Sequence, residues 1–241
     1  MGTDNLHHKR KARRKKHEQK VHNLRVGQWL ILSEGEKTEP NYFNDLVTHL
    51  NKVNGGSLKV VAIGLGKNTK SLVNSVENYL AYCDTLHNIK KRIPYYKTIF
   101  VFDKDSFGAN NFNGAISRAS SYSDSIVAWS NESFELWLCL HFEYIDTEQT
   151  RHLYNDKLTE IFRKKKIFNN EQNWEDDGKN DPEILQKILA AGGCFEQAIK
   201  FAKNRVEECT DSGIIHSPAK ANPITMVYRA VEALIEESKL I

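Results

Sequence analysis

From position 28 onward the chain alternates short apolar runs with longer stretches in which apolar residues recur every three to four positions. The first kind predicts strands and the second helices, because side chains repeat with period 2 along a strand and 3.6 along a helix. Residues 29–33 read as a buried strand ending at Glu34-Gly35. Residues 40–53 read as a helix, with Tyr42, Phe43, Leu46, Val47 and Leu50 on one face. A residue before proline avoids helical angles, which sets Glu39 near the N-cap and Pro40 in the first turn. Asn54-Gly55-Gly56 is a turn, 58–63 a second strand, and 69 to about 88 a second helix with Leu72, Val73, Val76, Tyr79 and Leu80 inward. Thr98-Ile99-Phe100-Val101-Phe102, within 97–103, is a continuous β-favouring run. Such a run is expected of a strand covered on both faces, as in a parallel sheet. A helix is predicted over 111–121, a strand over 125–129 and a helix over 133–142.

This alternation predicts an α/β fold over 25–145: a doubly wound, mainly parallel sheet flanked by helices. Residues 146–241 read as a mainly helical region packed on or beside it, with helices at 148–166, 182–191, 194–208 and 224–239 and a polar loop at 169–180. The most apolar run, 134–142, carries Glu135 and His141, and no stretch approaches the roughly 18 apolar residues of a membrane span. No secretory pattern is visible at the basic N-terminus. The expectation is a soluble cytoplasmic protein without membrane partners. Cys83, Cys139, Cys194 and Cys209 are widely spaced, and no His or Cys spacing suggests zinc.

The net charge of +3 conceals an asymmetry. Residues 1–20 hold eight basic side chains (Lys9, Arg10, Lys11, Arg13, Arg14, Lys15, Lys16 and Lys20) against Asp4 and Glu18. That leaves 26 of the 34 basic and 29 of the 31 acidic residues for the rest of the chain, a slightly negative body. Residues 1–24 have too few apolar groups to offset the entropy of folding alone and are expected to be a disordered arm. A basic arm suits a polyanion such as nucleic acid, because neutralising each phosphate releases counterions. A solubilising terminus is the other reading.

Three acids fall at predicted strand ends: Glu34 after the first strand, Asp103 and Asp105 after the 97–103 strand. In open parallel sheets ligands bind at the carboxyl ends of strands. Residues two apart in extended chain face one side, so Asp103 and Asp105 are expected to share a site while Lys104 points away. Clustered carboxylates repel unless a cation neutralises them. Mg²⁺ prefers oxygen ligands and suits metal-assisted phosphodiester chemistry. A pair of solvated turn carboxylates is the plainer reading of the same spacing. Glu135 has an argument of its own: within an apolar helix its carboxylate must meet a cation, a basic side chain or solvent at a site edge. Lys37 and Lys104, beside the acids, are candidates to face phosphate, or are solvated turn residues. Glu34 to Thr38 ends in Lys-Thr but lacks the glycines of an ATP-binding phosphate loop.

Four segments carry a resemblance. Ile31-Leu32-Ser33-Glu34-Gly35-Glu36-Lys37-Thr38-Glu39-Pro40-Asn41-Tyr42-Phe43, Val101-Phe102-Asp103-Lys104-Asp105-Ser106-Phe107, Ser130-Asn131-Glu132-Ser133-Phe134-Glu135-Leu136-Trp137 and Ala221-Asn222-Pro223-Ile224-Thr225 resemble, in order, the motifs of RloB-like proteins. Glu132-Ser133 departs from the third motif. That family is similar to the Toprim group of topoisomerases, bacterial primases and OLD-family nucleases, whose pattern is Glu-Gly after the first strand and a later D-x-D. The resemblance implies a Toprim-like fold and a Mg²⁺- or Mn²⁺-dependent phosphoryl-transfer site with Glu34, Asp103 and Asp105 at its core. Glu39 matches a further acid of OLD-type nucleases, so one or two ions are implied, with Glu39 and Glu135 serving the second. A helix-dipole role is the alternative for Glu39. The implied function is a DNA or RNA endonuclease, with tRNA among the substrates, acting as toxin in a bacterial anti-phage system with an ATPase partner. A non-catalytic nucleic-acid- or ATPase-binding module is the competing reading. Oligomer formation is compatible with either.

Overall fold

The computed structural model of the protein describes residues 28–86, 89–213 and 216–240. The basic arm predicted over 1–24, with Lys9, Arg10, Lys11, Arg13, Arg14, Lys15 and Lys16, lies outside the described residues. Among those described, no helix is long and apolar enough to cross a membrane.

The elements run β1 (Trp29–Ser33), α1 (Thr38–Asn54), β2 (Val60–Gly64), α2 (Thr69–Ser75), β3 (Ala81–Leu86), β4 (Ile89–Pro94), β5 (Lys97–Asp103), α3 (Ala109–Ser120) and β6 (Ser125–Asn131). There follow α4 (Glu135–Leu140), α5 (Arg151–Lys164), α6 (Ile184–Ala190), α7 (Phe195–Asp211), β7 (Ile224–Thr225) and α8 (Val227–Ser238). The main sheet has the order β2-β1-β5-β6-β7, and its first four strands are parallel. This is the doubly wound α/β arrangement that the apolar runs predict. Every residue of β1 is buried, and six of the seven in β5 are. The chain steps from β1 to β2 in one direction and from β2 through β5 to β6 in the other. Parallel crossovers are right-handed, so the helices of these two paths fall on opposite faces. Accordingly α1 packs with α8 under β2, β1 and β6, and α2 packs with α3 against β5 and β6.

Helix α1 begins two residues earlier than the pre-proline rule suggests, so Glu39 is its second residue rather than a cap. It ends at Gly55, whose φ of 65° is the left-handed angle of a helix C-terminus. The helix predicted from 69 to about 88 is a correction. It stops at Ser75, passes through one turn over Val76–Asn78, and gives way to an antiparallel hairpin, β3 with β4, in a second sheet. Tyr82, Thr85, Ile89 and Ile93 favour strands, and cross-strand pairing overrides the weak helical periodicity. The helix predicted over 224–239 is likewise shortened. Ile224 and Thr225 pair antiparallel with Asn131 and Ser130, and only then does α8 begin. The last quarter of the chain thus supplies an edge strand of the main sheet.

Candidate functional site

Two neighbouring strands, β1 and β5, send the chain to opposite faces: β1 into α1, β5 into α3. That divergence opens a crevice at their carboxyl ends, the usual ligand position in a doubly wound sheet. Glu34 follows β1 and Asp103 ends β5. Their neighbourhood is fixed by backbone register. Glu34 N donates to Val101 O at 2.9 Å, and Asp103 N approaches Glu34 Oε2 at 3.4 Å. The Thr69 hydroxyl, at the start of α2, donates to Glu34 Oε2 at 2.7 Å and lies 3.2 Å from the Asp103 carbonyl.

Glu39 comes from the first turn of α1 and accepts Gly35 N on Oε1 at 3.2 Å. Its carboxylate packs so closely over Gly35 that a Cβ there would stand 2.1 Å from Glu39 Oε2. The glycine of the Glu34-Gly35 pair therefore makes room for a second acid. Glu135 opens α4 and is buried. Glu34, Glu39, Asp103 and Glu135 together line a cavity of about 170 Å³, which Thr38, Arg151 and Lys179 also line.

Asp105 does not line this cavity, and it comes beside it by a route other than the extended spacing that the D-x-D predicts. Its φ is 40°, a left-handed turn, and its N–H donates to Glu132 O at 3.0 Å. The turn brings its carboxylate back beside that of Asp103, where both meet one guanidinium. Arg151 Nη2 donates to Asp103 Oδ2 at 2.9 Å and Nη1 to Asp105 Oδ2 at 3.0 Å, with Nε 3.9 Å from Glu135 Oε2. Lys179 Nζ lies 3.5 Å from Glu135 Oε1. Of the three partners that burial demanded of Glu135, the structure selects basic side chains.

Arg151 and Lys179 gave no sequence signal, since both are ordinary charged residues far from the acids along the chain. Their delivery is structural. Glu132 Oε2 accepts Arg151 N at 2.6 Å and so satisfies one of the open donors at the start of α5. Lys179 follows a π-helical turn over Trp174–Gly178, whose Trp174 is fully buried against Phe162. The carbonyl of Lys179 accepts Thr38 Oγ1 at 3.1 Å. Lys37 is exposed beside α1. Lys104 turns its ammonium onto the Asp105 carbonyl at 3.0 Å. Asn131 spends its amide on the Pro218 carbonyl at 3.0 Å.

Charge in the cleft is uneven. Burial raises the Asp103 carboxyl well above its usual range, Arg151 pulls it down, and Glu39, Glu135 and Glu34 push it up again. Burial likewise pushes Glu39 from 4.5 to about 7, with Glu135 and Glu34 adding to it. Glu34 is raised by burial against the opposing bond from Thr69. Burial works against the Arg151 charge, yet Asp103, Glu135 and Asp105 hold the guanidinium protonated more firmly than usual. Asp103 Oδ1 is buried with no hydrogen-bond partner. Among the described residues no group of three or more His, Cys, Asp or Glu side chains is arranged to hold a metal ion, and Arg151 stands between the acids. In donor chemistry alone the acids lining the cavity suit a hard divalent cation: they are all carboxylates, and one buried oxygen, Asp103 Oδ1, is unpaired.

A larger groove of about 420 Å³ between α1, α7 and α8 shares no lining residue with this cleft. The cleft and the sheet define the class: an α/β protein with a buried acidic site at the switch point of a doubly wound sheet. The family model described as RloB-like protein matches residues 29–234, and the chain belongs to that family. No curated protein and no solved structure matches it.

Proposed function

We propose that this protein is a Toprim-type nuclease that hydrolyses phosphodiester bonds of nucleic acid with a bound Mg²⁺ or Mn²⁺. The observation that carries the reading is the unpaired, buried Asp103 Oδ1 in a cleft where Glu34, Glu39, Asp103 and Glu135 outnumber their cations. Buried carboxylates left this way are costly unless a proton is held or a cation is supplied, and a bound cation displaces such protons. Glu34 and Asp103, with Asp105 beside them, would hold one ion; Glu39 and Glu135 would serve a second. When bound, such an ion polarises the phosphate and lowers the pKa of a water.

The residues of the chain supply the rest. Thr69 donates to Glu34 Oε2 and so positions this carboxylate, which could accept a proton from the attacking water. Lys179 and Arg151 bring positive charge to the lining of the same cavity, where it could meet a phosphate. The basic arm and Lys37 would track the flanking backbone. The role as anti-phage effector, with an ATPase partner and an RNA or DNA target, extends the family resemblance and belongs to the same proposal.

The test is cleavage of DNA, RNA and tRNA by the purified protein with Mg²⁺ or Mn²⁺, alone and with an ATPase partner of the kind the family resemblance implies. Asp103→Ala is expected to lose activity by more than about 100-fold. Full activity in that variant would overturn the proposal. One observation favours a second reading, a non-catalytic binding module: Arg151 already bridges Asp103 and Asp105. That reading expects nucleic-acid binding to survive Asp103→Ala with no cleavage in either protein.

A further inference from the structure

Resting on the metal-site reading above, the geometry points to Arg151 as an exchangeable internal counter-ion. Its guanidinium holds Asp103 and Asp105 in the cation-free site and leaves them when a divalent cation binds.

Asp103 in the proposed site and Asp105 beside it each give one oxygen, Oδ2, to the same guanidinium, at 2.9 and 3.0 Å. The other oxygen of Asp103 is buried and has no partner. Asp103 is thus half satisfied. An ion bound through Oδ1 would meet the Arg151 charge within one carboxylate's width, and two cations that close repel strongly in a partly buried site. Both cannot keep their places.

Next comes freedom to move. Asp103 is held by the sheet, with its side chain 7% exposed, whereas the Arg151 side chain is 37% exposed. Arg151 is the first residue of α5, and its backbone N–H is fixed by Glu132 independently of the guanidinium. The side chain can therefore swing toward the mouth of the cleft without unravelling the helix. A third weakness is local. Arg151 Nε is buried without a hydrogen bond and only approaches Glu135 at 3.9 Å. The guanidinium uses two of its donors well and one poorly, so it is a replaceable partner. Once released, its planar fork is suited to a phosphate entering the same cavity.

The exchange explains how an acid-rich cleft stays folded without metal. It also makes a divalent ion compete with a fixed intramolecular charge, which sets a threshold concentration for loading the site.

The experiment measures Mn²⁺ binding by electron paramagnetic resonance and does not depend on turnover. Wild type, Arg151→Gln and Asp103→Asn are titrated with Mn²⁺. Arg151→Gln is expected to bind about tenfold tighter than wild type, because the competitor is gone. Asp103→Asn, which removes the shared ligand, is expected to lose the site. In parallel the wild-type protein is treated with phenylglyoxal, a guanidinium reagent, and Arg151 modification is read by peptide mass. Modification is expected to accelerate severalfold with Mn²⁺. If wild type binds Mn²⁺ but Arg151 reactivity does not rise, the exchange is overturned whatever the variant does, and the metal site stands. Equal affinity in Arg151→Gln and wild type overturns it as well. If neither protein takes up Mn²⁺, the metal reading itself fails, and the exchange with it.

Discussion

Asp103 faces two environments at once: one oxygen against the Arg151 guanidinium, the other buried without a partner. Glu39 is more enclosed, and burial pushes its carboxyl from 4.5 to about 7. The consequence for stability has a definite sign. Between those values the folded state holds a proton that the unfolded chain has released, so stability falls as pH rises. The contribution is present in full below about 4.5 and is lost as pH rises through about 7. Metal-free protein is therefore expected to melt at a lower temperature at pH 8 than at pH 5. Glu39→Gln should flatten that dependence by on the order of 1–3 kcal/mol. Melting curves in a chelator check this, and parallel pH profiles for the two proteins would count against it. Glu34, Asp103 and Glu135 were legible in the sequence because each sits where an apolar run ends or, at Glu135, inside one, whereas Glu39 was reached only through the family resemblance. Their cations were not: Arg151 and Lys179 come from a helix start and a loop whose positions depend on tertiary packing. The apolar run around Glu135 was the one clue, and it left a cation, a basic side chain or solvent open as the partner.

Elements meet with little slack around the cleft. Gly64, the last residue of β2, lies so near the Glu34-Gly35 turn that a Cβ would stand 2.4 Å from the Gly35 carbonyl and 2.5 Å from Glu36 Cα. Both are backbone atoms with no rotamer to change. Gly64→Ala is expected to cost about 1–3 kcal/mol by overpacking and to displace Glu34, lowering activity beyond the loss of stability. Chemical denaturation and rates at a temperature where the variant is folded separate the two effects. Asp45 provides the contrast. It is buried on α1 and accepts Gln186 N at 2.9 Å and Nε2 at 2.8 Å, which ties α6 to α1. Asp45→Ala should cost about 1–3 kcal/mol with cleavage by the folded protein unchanged. A large fall in its activity would show that the cleft depends on α6. Strands β1 and β5 could be read from sequence because both their faces are covered, so their apolar runs are unbroken. The β3–β4 hairpin and β7 could not. The first competes with a helical periodicity that runs through Leu72, Val73, Val76, Tyr79 and Leu80, and the second is a two-residue strand defined only by its pairing with β6.

Across the whole molecule, charge is divided between a basic N-terminal segment and a slightly acidic body. If that segment carries affinity for a polyanion, deleting residues 1–24 should weaken nucleic-acid binding and lower its salt dependence, by about one unit of log–log slope for each phosphate no longer neutralised. Binding measured from 50 to about 300 mM salt tests this. An unchanged slope would reduce the segment to a solubilising terminus. The body contributes the cleft, assembled from β1, β5, α1, α4 and α5 together with the loop that carries Lys179. Only a folded sheet brings residues 34, 39, 103, 135, 151 and 179 into one cavity, which is why motif spacing alone left the solvated-turn reading open. The central claim is that this cavity is a divalent-cation site. It is tested most directly by the crystal structure of the protein soaked with Mn²⁺, with anomalous differences recorded. A peak is expected about 2 Å from Asp103 Oδ1, with Glu34 turned toward it and Arg151 drawn away. A map with no peak in the cleft, and Arg151 still bridging Asp103 and Asp105, would contradict it.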